Sequence, residues 1–352
     1  MPGALIQQQD HVIFMIEENK SYNTVTNVQK ASIPYFNQLR TTGVYATGKS
    51  TNFASATAYS AVGSPSAPNY LALTSGRLLQ NGSDGWNAYS YQNLVDLLVN
   101  AGVSYGMYME NLPSNWTAHQ DSGLYAQRHN PFGYYTDITG NSTRTPHVKD
   151  FSTFVPGAER FQWITPNITD DGHTSSPNGA ALQLANTDAF LKAQVPTILN
   201  SAAFAPGKKS VLIITWDEGG GGSEVVCCVF LGPGVKTAVS NVTYSHYSML
   251  ATWEAMLGLS NLGQNDASAA VMSDMLAGGG GTSDTPTWVN KSFSSETFAP
   301  TSTQQGGNFN VSLTFASISS EIFAPSQTGS GGQIIHPAIA CGTASLPSTT
   351  LL

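Results

Sequence analysis

The stretch Ser210-Val-Leu-Ile-Ile-Thr-Trp216, followed at once by Asp217-Glu218 and the glycine run 219–222, decides the fold. Its apolar, largely β-branched residues follow one another without polar alternation. That is the pattern of a strand covered on both faces, as in a parallel sheet. A second run of the same kind, His11-Val-Ile-Phe-Met-Ile16, closes on Glu17-Glu18-Asn19-Lys20-Ser21. Open α/β sheets bind their ligands at the C-terminal ends of such strands. The two runs are therefore expected to be parallel neighbours or near-neighbours, with their carboxylates at one sheet edge.

Working outward, helical spacing begins at Pro34–Leu39 and recurs in Tyr91–Ala101, which Gly102 stops. It returns in Ala180–Leu199, with an interruption expected near Pro196, and in Ser248–Leu257. Val103–Met109 and Val225–Leu231 read as strands, the second carrying Cys227 and Cys228. Tyr70–Thr74 is apolar but too short to assign by periodicity, and 110–165 reads as loop-rich with scattered aromatics. Strands alternating with helices predict an α/β fold, a mostly parallel central sheet with helices on both faces. Near Gly278–Gly281 the composition turns to Ser, Thr, Gly, Gln and Pro. Residues 1–281 are thus expected to form the main domain. Residues 282–352 would be a β-rich or loop-rich appendage, with a strand at Phe309–Phe315 and another at Ile334-Ile335.

Composition narrows the function. The 352 residues are only 10 % charged and carry a net charge of −8, which argues against a nucleic-acid binder. No apolar run reaches the length of a membrane span. Met1–Asp10 lacks the basic-then-apolar pattern of a signal peptide. Eight Asn-x-Ser/Thr sequons, at Asn19, Asn81, Asn115, Asn141, Asn167, Asn241, Asn290 and Asn310, favour a secreted or extracellular glycoprotein whose signal lies outside this numbering. Three cysteines cannot build a disulfide framework. A single bridge from Cys341 to Cys227 or Cys228 would tether the appendage, while three reduced thiols are equally allowed.

Chemistry-bearing residues gather at strand ends and in adjoining loops: Glu18-Asn19, Ser66 within Ser64–Asn69, Asp170–His173, Asp217-Glu218 and His246. Each alone has an ordinary reading as a cap, a turn or a loop residue. Jointly, Glu18, Asn19, Asp217 and Glu218 form an all-oxygen donor set suited to a hard divalent cation. Such a cation lowers the pKa of a serine hydroxyl enough for attack at phosphorus. Asp171, His173 and His246 would add a second metal or a polar clamp, and a histidine would protonate the leaving alcohol.

Here the residues resemble a known family. Glu18-Asn19-Lys20-Ser21 looks like the opening Glu-Asn-x-Ser motif of the acid phosphatase/phospholipase C phosphoesterases, within the alkaline phosphatase superfamily. Ser64–Gly76 resembles that family's nucleophile block. Tyr125–Phe132, Thr165–Asn167, Asp171–His173, Trp216–Gly220, Gly232–Val235 and Ser245–Ser248 follow in the family's order over about residues 11–270. The resemblance implies an alkaline-phosphatase-like fold with its catalytic domain in 1–281. It implies metal binding by Glu18, Asn19, Ser66, Asp217 and Glu218, with Ser66 as nucleophile. Asp171, His173 and His246 fall where the superfamily places other metal or phosphate-contacting groups. His173 and His246 are catalytic candidates on this reading, and His129, Asp171 and Asn69 substrate-binding ones. One departure is Ser64-Pro65-Ser66, where relatives often carry His-Pro-Ser.

The function expected is a secreted, metal-dependent acid phosphatase working through a phosphoserine intermediate. Its cation would be Ca, Mg, Mn or Zn and its partner a small phosphorylated substrate, with no nucleic acid and no stable membrane insertion. A phospholipase C-type phosphodiesterase is the alternative within the class. A non-catalytic wall- or glycan-associated protein on the same fold is the alternative outside it.

Overall fold

The computed structural model describes residues 6–174, 179–220 and 224–278, together with the backbone of 312–314 and 343–345. The chain divides into two compact units, Met1–Ser283 and Asp284–Leu352.

In the first unit the strands are β1 (Val12–Glu17), β2 (Val44–Ala46), β3 (Lys49–Ser50), β4 (Phe53–Ser60), β5 (Tyr105–Met109) and β6 (Val148–Asp150). They continue as β7 (Phe161–Thr165), β8 (Val211–Trp216), β9 (Val225–Leu231), β10 (Ala238–Ser240) and β11 (Tyr244–Ser245). The α-helices are α1 (Pro34–Thr42), α2 (Ser66–Ser75), α3 (Leu94–Asn100), α4 (Thr136–Thr139), α5 (Gly179–Leu199) and α6 (His246–Leu257). Nine strands form one sheet in the order β10-β4-β9-β8-β1-β7-β5-β6, with β11 also on β4. Every pairing in it is parallel except those of β9, which runs antiparallel to both β4 and β8.

The two apolar runs lie side by side at its centre, in register from Val12↔Val211 to Glu17↔Trp216. All six residues of each strand are buried, as the absence of alternation requires. The helices cover both faces. Phe14 packs edge-on against Trp253 of α6 and tilted against Trp163 of β7, with ring centroids 4.7 Å apart in each case. On the opposite face Trp216, the register partner of Glu17, meets Phe36 of α1 at 4.7 Å. Each such aromatic pair is worth about 0.5–1.5 kcal/mol beyond its area. Even-numbered β1 residues thus face α2 and α6, and odd-numbered ones face α1 and α5.

Several elements differ from the sequence-based expectation. Phe161–Thr165, inside the segment expected to be loop-rich, is a fully buried strand between β1 and β5. Its five residues are too few for periodicity to reveal. Phe53–Ser60 was not expected either; its small residues pack as the strand between β9 and β10. Tyr70–Thr74 is helical, part of α2. α5 runs through Pro196 without interruption. That proline lies in the last turn, where buried Val195, Ile198 and Leu199 hold the helix down at the cost of one missing N–H.

Cys227 and Cys228 are free, buried thiols on β9. Cys341 lies outside the described residues. In the second unit Ser312–Thr314 pairs antiparallel with Thr343–Ser345, while Ile334-Ile335 falls outside the described residues.

Candidate active site

The parallel strands deliver their C-terminal ends to one edge, and the candidate residues gather there. Glu18 follows β1, Asp217 and Glu218 follow β8, and Asp171 and His173 follow β7. Ser66 is the first residue of α2, at the positive end of the helix dipole. Asp84 holds that end in place by accepting from Ala67 N at 2.9 Å. Gly76 closes the other end in the left-handed conformation, φ +67°.

Glu18 is the hub. It is fully buried. Its Oε2 accepts from Ser66 Oγ at 3.0 Å and from Asn19 Nδ2 at 2.9 Å, and its Oε1 accepts from Tyr70 OH at 2.6 Å. Asn19 adopts the left-handed region, φ +54°, which costs a non-glycine residue roughly 1 kcal/mol or more. That turn aims its backbone N–H at Asp217 Oδ1, 2.9 Å away, joining the ends of β1 and β8. Asp217 Oδ2 and Glu218 Oε2 are buried without a hydrogen-bond partner. Glu18, Asn19, Ser66 and Asp217 are thus linked directly, and Glu218 continues the chain from Asp217.

His129 stands on the other side of Glu18. Its ring stacks on Tyr70, 5° from coplanar, and its Nδ1 lies 3.0 Å from Asp171 Oδ2. Asp171 also accepts from His173 N at 2.7 Å. With Nδ1 donating to Asp171, the lone pair of His129 Nε2 faces Glu18 Oε1 at 3.3 Å, a contact that needs a proton on Glu18 or a cation between the two. Donor atoms of Glu18, His129 and His173 all lie within 4.8 Å of one another, a spacing that a metal ion can bridge. Lys20 donates from Nζ to Gly172 O at 3.0 Å and so ties the Asp171–His173 loop back to the end of β1. Gly172 needs its φ of +85°, and a Cβ there would press on Thr187 Oγ1.

The electrostatics point the same way. Burial, then the charges of Asp217 and Asp171, push Glu18 well above the usual carboxylate range. Burial raises Asp217 to about 7 and, with the neighbouring Asp217, Glu218 to about 7. Burial drops His129 and His173 to about 3, so both imidazoles are neutral. A crowd of desolvated carboxylates with orphaned oxygens and neutral imidazoles fits a cation.

Two candidates stand differently from their sequence-based assignment. His246 is fully buried, with Nδ1 2.8 Å from Tyr59 OH and Nε2 2.5 Å from the carbonyl oxygen of Asp217. Both ring nitrogens are spent, so it is not placed to protonate a leaving group; it braces the Asp217 backbone. Asn69 is also fully committed. Its Oδ1 accepts from Val62 N and Gly63 N, and its Nδ2 donates to Gly63 O and Pro65 O. It shapes the loop before Ser66 and has no group left for a substrate. Tyr70, Tyr59 and Lys20 were not singled out from sequence. Tyr70 had a signal: it sits four residues after Ser66, which puts both on one helix face.

Comparison with known proteins identifies the family. A model of the Phosphoesterase family matches residues 19–260. A phosphatidylinositol-3-phosphatase of Mycobacterium tuberculosis is 30% identical over 261 residues, 72% of this chain and 78% of that protein. An acid phosphatase of Aspergillus fumigatus is 30% identical over 239 residues, 61% of this chain and 51% of that protein. A probable acid phosphatase of Kluyveromyces lactis is 29% identical over 61% of this chain and 54% of its own length. The chain therefore spans about half the length of these fungal relatives. Among solved structures, an alkaline phosphatase superfamily protein from Vibrio parahaemolyticus aligns with TM-score 0.49 and 11% identity, over 78% of this chain and 73% of that one. With the family model covering more than half of its length, this chain belongs to the Phosphoesterase family and is a phosphoester hydrolase.

Proposed function

We propose that the protein is a metal-dependent phosphomonoesterase of the acid phosphatase type, with Ser66 as its nucleophile. One observation carries the reading: Ser66 Oγ, at the N-terminus of α2, hydrogen-bonds the buried carboxylate that also gathers Asn19, Tyr70 and His129. Glu18, Asn19, Ser66, Asp217 and Glu218 would hold one divalent cation. Glu18, His129 and His173 also lie close enough to hold a cation, but with a single cation on the first set the His173 lone pair stays free to carry a proton. A bound cation supplies Lewis-acid stabilisation of negative charge on oxygen.

This chain's own residues do the rest. Glu18 accepts the Ser66 hydroxyl proton along the existing hydrogen bond as Oγ forms its bond to phosphorus. The P–O bond to the alcohol breaks in line, and the α2 N-terminus faces the charge that spreads over the phosphoryl oxygens. His173, only half-buried, carries the proton to the departing alkoxide. The arriving phosphate opposes the burial that makes its imidazole neutral. Water then attacks phosphoserine: its oxygen bonds phosphorus as the P–Oγ bond breaks, one of its protons passes to Ser66 Oγ, and inorganic phosphate leaves.

Location outside the cell belongs to the same proposal. Among the described residues no helix is long and apolar enough to cross a membrane. The sequons at Asn115 and Asn241 are exposed, whereas Asn167 is buried and hydrogen-bonded.

The test is Ser66→Ala. Turnover of p-nitrophenyl phosphate should fall by several orders of magnitude while metal content and Tm stay near those of the wild type. Brief mixing with labelled phosphomonoester should leave label on the wild type and none on the variant. Turnover near the wild-type level in the metal-loaded variant would remove Ser66 from the role.

A further inference from the structure

A cavity of about 430 Å³ opens beside the site, walled by Asp84, Trp86, His119, Gln120, Asp121 and Arg128 among others. It touches the catalytic edge at two places. Asp84 caps the backbone of Ala67, next to Ser66, and Arg128 precedes His129 and helps hold His129 and His173 neutral. Its size suits one small-molecule group.

Its chemistry is specific. The Trp86 indole is fixed by donation from Nε1 to Gly133 O at 3.0 Å and by stacking on His119, centroids 4.0 Å apart and 16° from parallel. Yet Trp86 remains 40% exposed, a rigid flat surface kept open. The Arg128 guanidinium is pinned between carboxylates, 3.3 Å from Asp121 and 3.9 Å from Asp84. Two carboxylates against one guanidinium leave this wall acceptor-rich and net negative. Such a wall takes ligand hydroxyls and rejects a further phosphate, while the indole face takes a ring.

We propose that this cavity receives the leaving group of the substrate and selects a neutral, hydroxyl-bearing ring, supplied by a sugar or a nucleoside. The inference rests on the phosphomonoesterase reading and adds to it the class of alcohol.

The experiment measures kcat/KM by phosphate release for ethyl phosphate, glucose 6-phosphate, adenosine 5′-monophosphate and glucose 1,6-bisphosphate. The wild type is compared with Trp86→Ala and Asp121→Asn. Wild type should favour a ring monophosphate over ethyl phosphate and over the bisphosphate. Trp86→Ala should lower the ring-to-ethyl ratio about tenfold, the worth of one stacking contact. Asp121→Asn should narrow the gap between glucose 6-phosphate and the bisphosphate. A ratio that falls for the adenosine substrate alone assigns the nucleoside, and one that falls for both assigns a sugar ring, pyranose or furanose. Ratios unchanged in both variants overturn the proposal. Quenching of Trp86 fluorescence by glucose or adenosine, read as the signal lost in Trp86→Ala, needs no turnover. Quenching without hydrolysis of any substrate would refute the phosphomonoesterase reading and keep the cavity, and the absence of quenching together with unchanged ratios would refute the cavity alone.

Discussion

At the scale of single residues, the site is a set of side chains that hold one another. His246 shows how a residue can matter without touching substrate. Its two nitrogens join Tyr59 to the Asp217 carbonyl, and burial lowers it to about 4. We expect His246→Ala to reduce turnover and metal retention together. The loss should be the same for p-nitrophenyl phosphate and for alkyl phosphates, because no proton for the leaving group passes through this ring. Comparing kcat/KM on the two substrates checks it; a loss concentrated on alkyl esters would return His246 to the proton-donor role. Asn69→Ala should act through the fold. It orphans the N–H groups of Val62 and Gly63 and frees the loop before Ser66, costing about 3 kcal/mol. Denaturant unfolding reads that loss directly, and Asn69→Asp should recover part of it by restoring the acceptor.

At the scale of elements, α2 and α6 carry the site and are themselves held by the 262–266 loop. Gly76 ends α2 with φ +67°, and a Cβ there would sit 2.4 Å from Asp266 Oδ1. Gly76→Ala should therefore cost clearly more stability than Gly48→Ala, where φ is also positive but the space is open. Paired Tm measurements separate strain from crowding. Asp266 accepts from Leu262 N and Gln264 N and faces Glu254 of α6, which burial and Asp266 raise to about 9. The sign follows from linkage. Below about 4.5, the ordinary glutamate value, the native and unfolded chains both keep the proton. From there to about 9 the native state keeps a proton that the unfolded state releases, so this group makes stability fall as pH rises. Glu254→Gln should remove that slope. The variant's Tm relative to wild type should climb between pH 5 and pH 8, and parallel Tm curves would refute it.

At the scale of the molecule, every candidate site residue lies within Met1–Ser283, the first compact unit. That unit also contains the whole nine-stranded sheet and its aromatic core. A chain ending at Ser283 is expected to fold and to keep kcat/KM within about threefold of the full chain. Loss of cooperative unfolding on truncation would show that the catalytic unit depends on residues 284–352. The acidic edge should also make thermal stability respond to divalent cations. Adding one to EDTA-treated protein should raise Tm, and Asp217→Asn should blunt that rise.

The sequence by itself determined the two strands at the middle of the sheet and the acidic residues that follow them. Val12–Glu17 and Val211–Trp216 are long enough and apolar enough to be nothing but doubly covered strands, and the carboxylates that follow them must then share an edge. The order of short motifs along the chain resembles that of the family. Only the tertiary structure decided what each polar residue touches. Asn69 and His246 look like site residues in sequence because they sit in the right motifs. Their hydrogen-bonding capacity is spent on Gly63, Pro65, Tyr59 and the Asp217 carbonyl, partners that come from other elements or from a loop whose path no local pattern encodes. β7 escaped for the same reason: five residues carry too little periodicity, and pairing with β1 and β5 makes them a strand. Trp86 lies more than thirty residues before His119 and Arg128 in sequence, and the motif that contains Arg128 says nothing of Trp86 or His119. Only the folding of their loops makes a cavity of them, because side-chain direction and loop closure depend on contacts that the order of residues does not print.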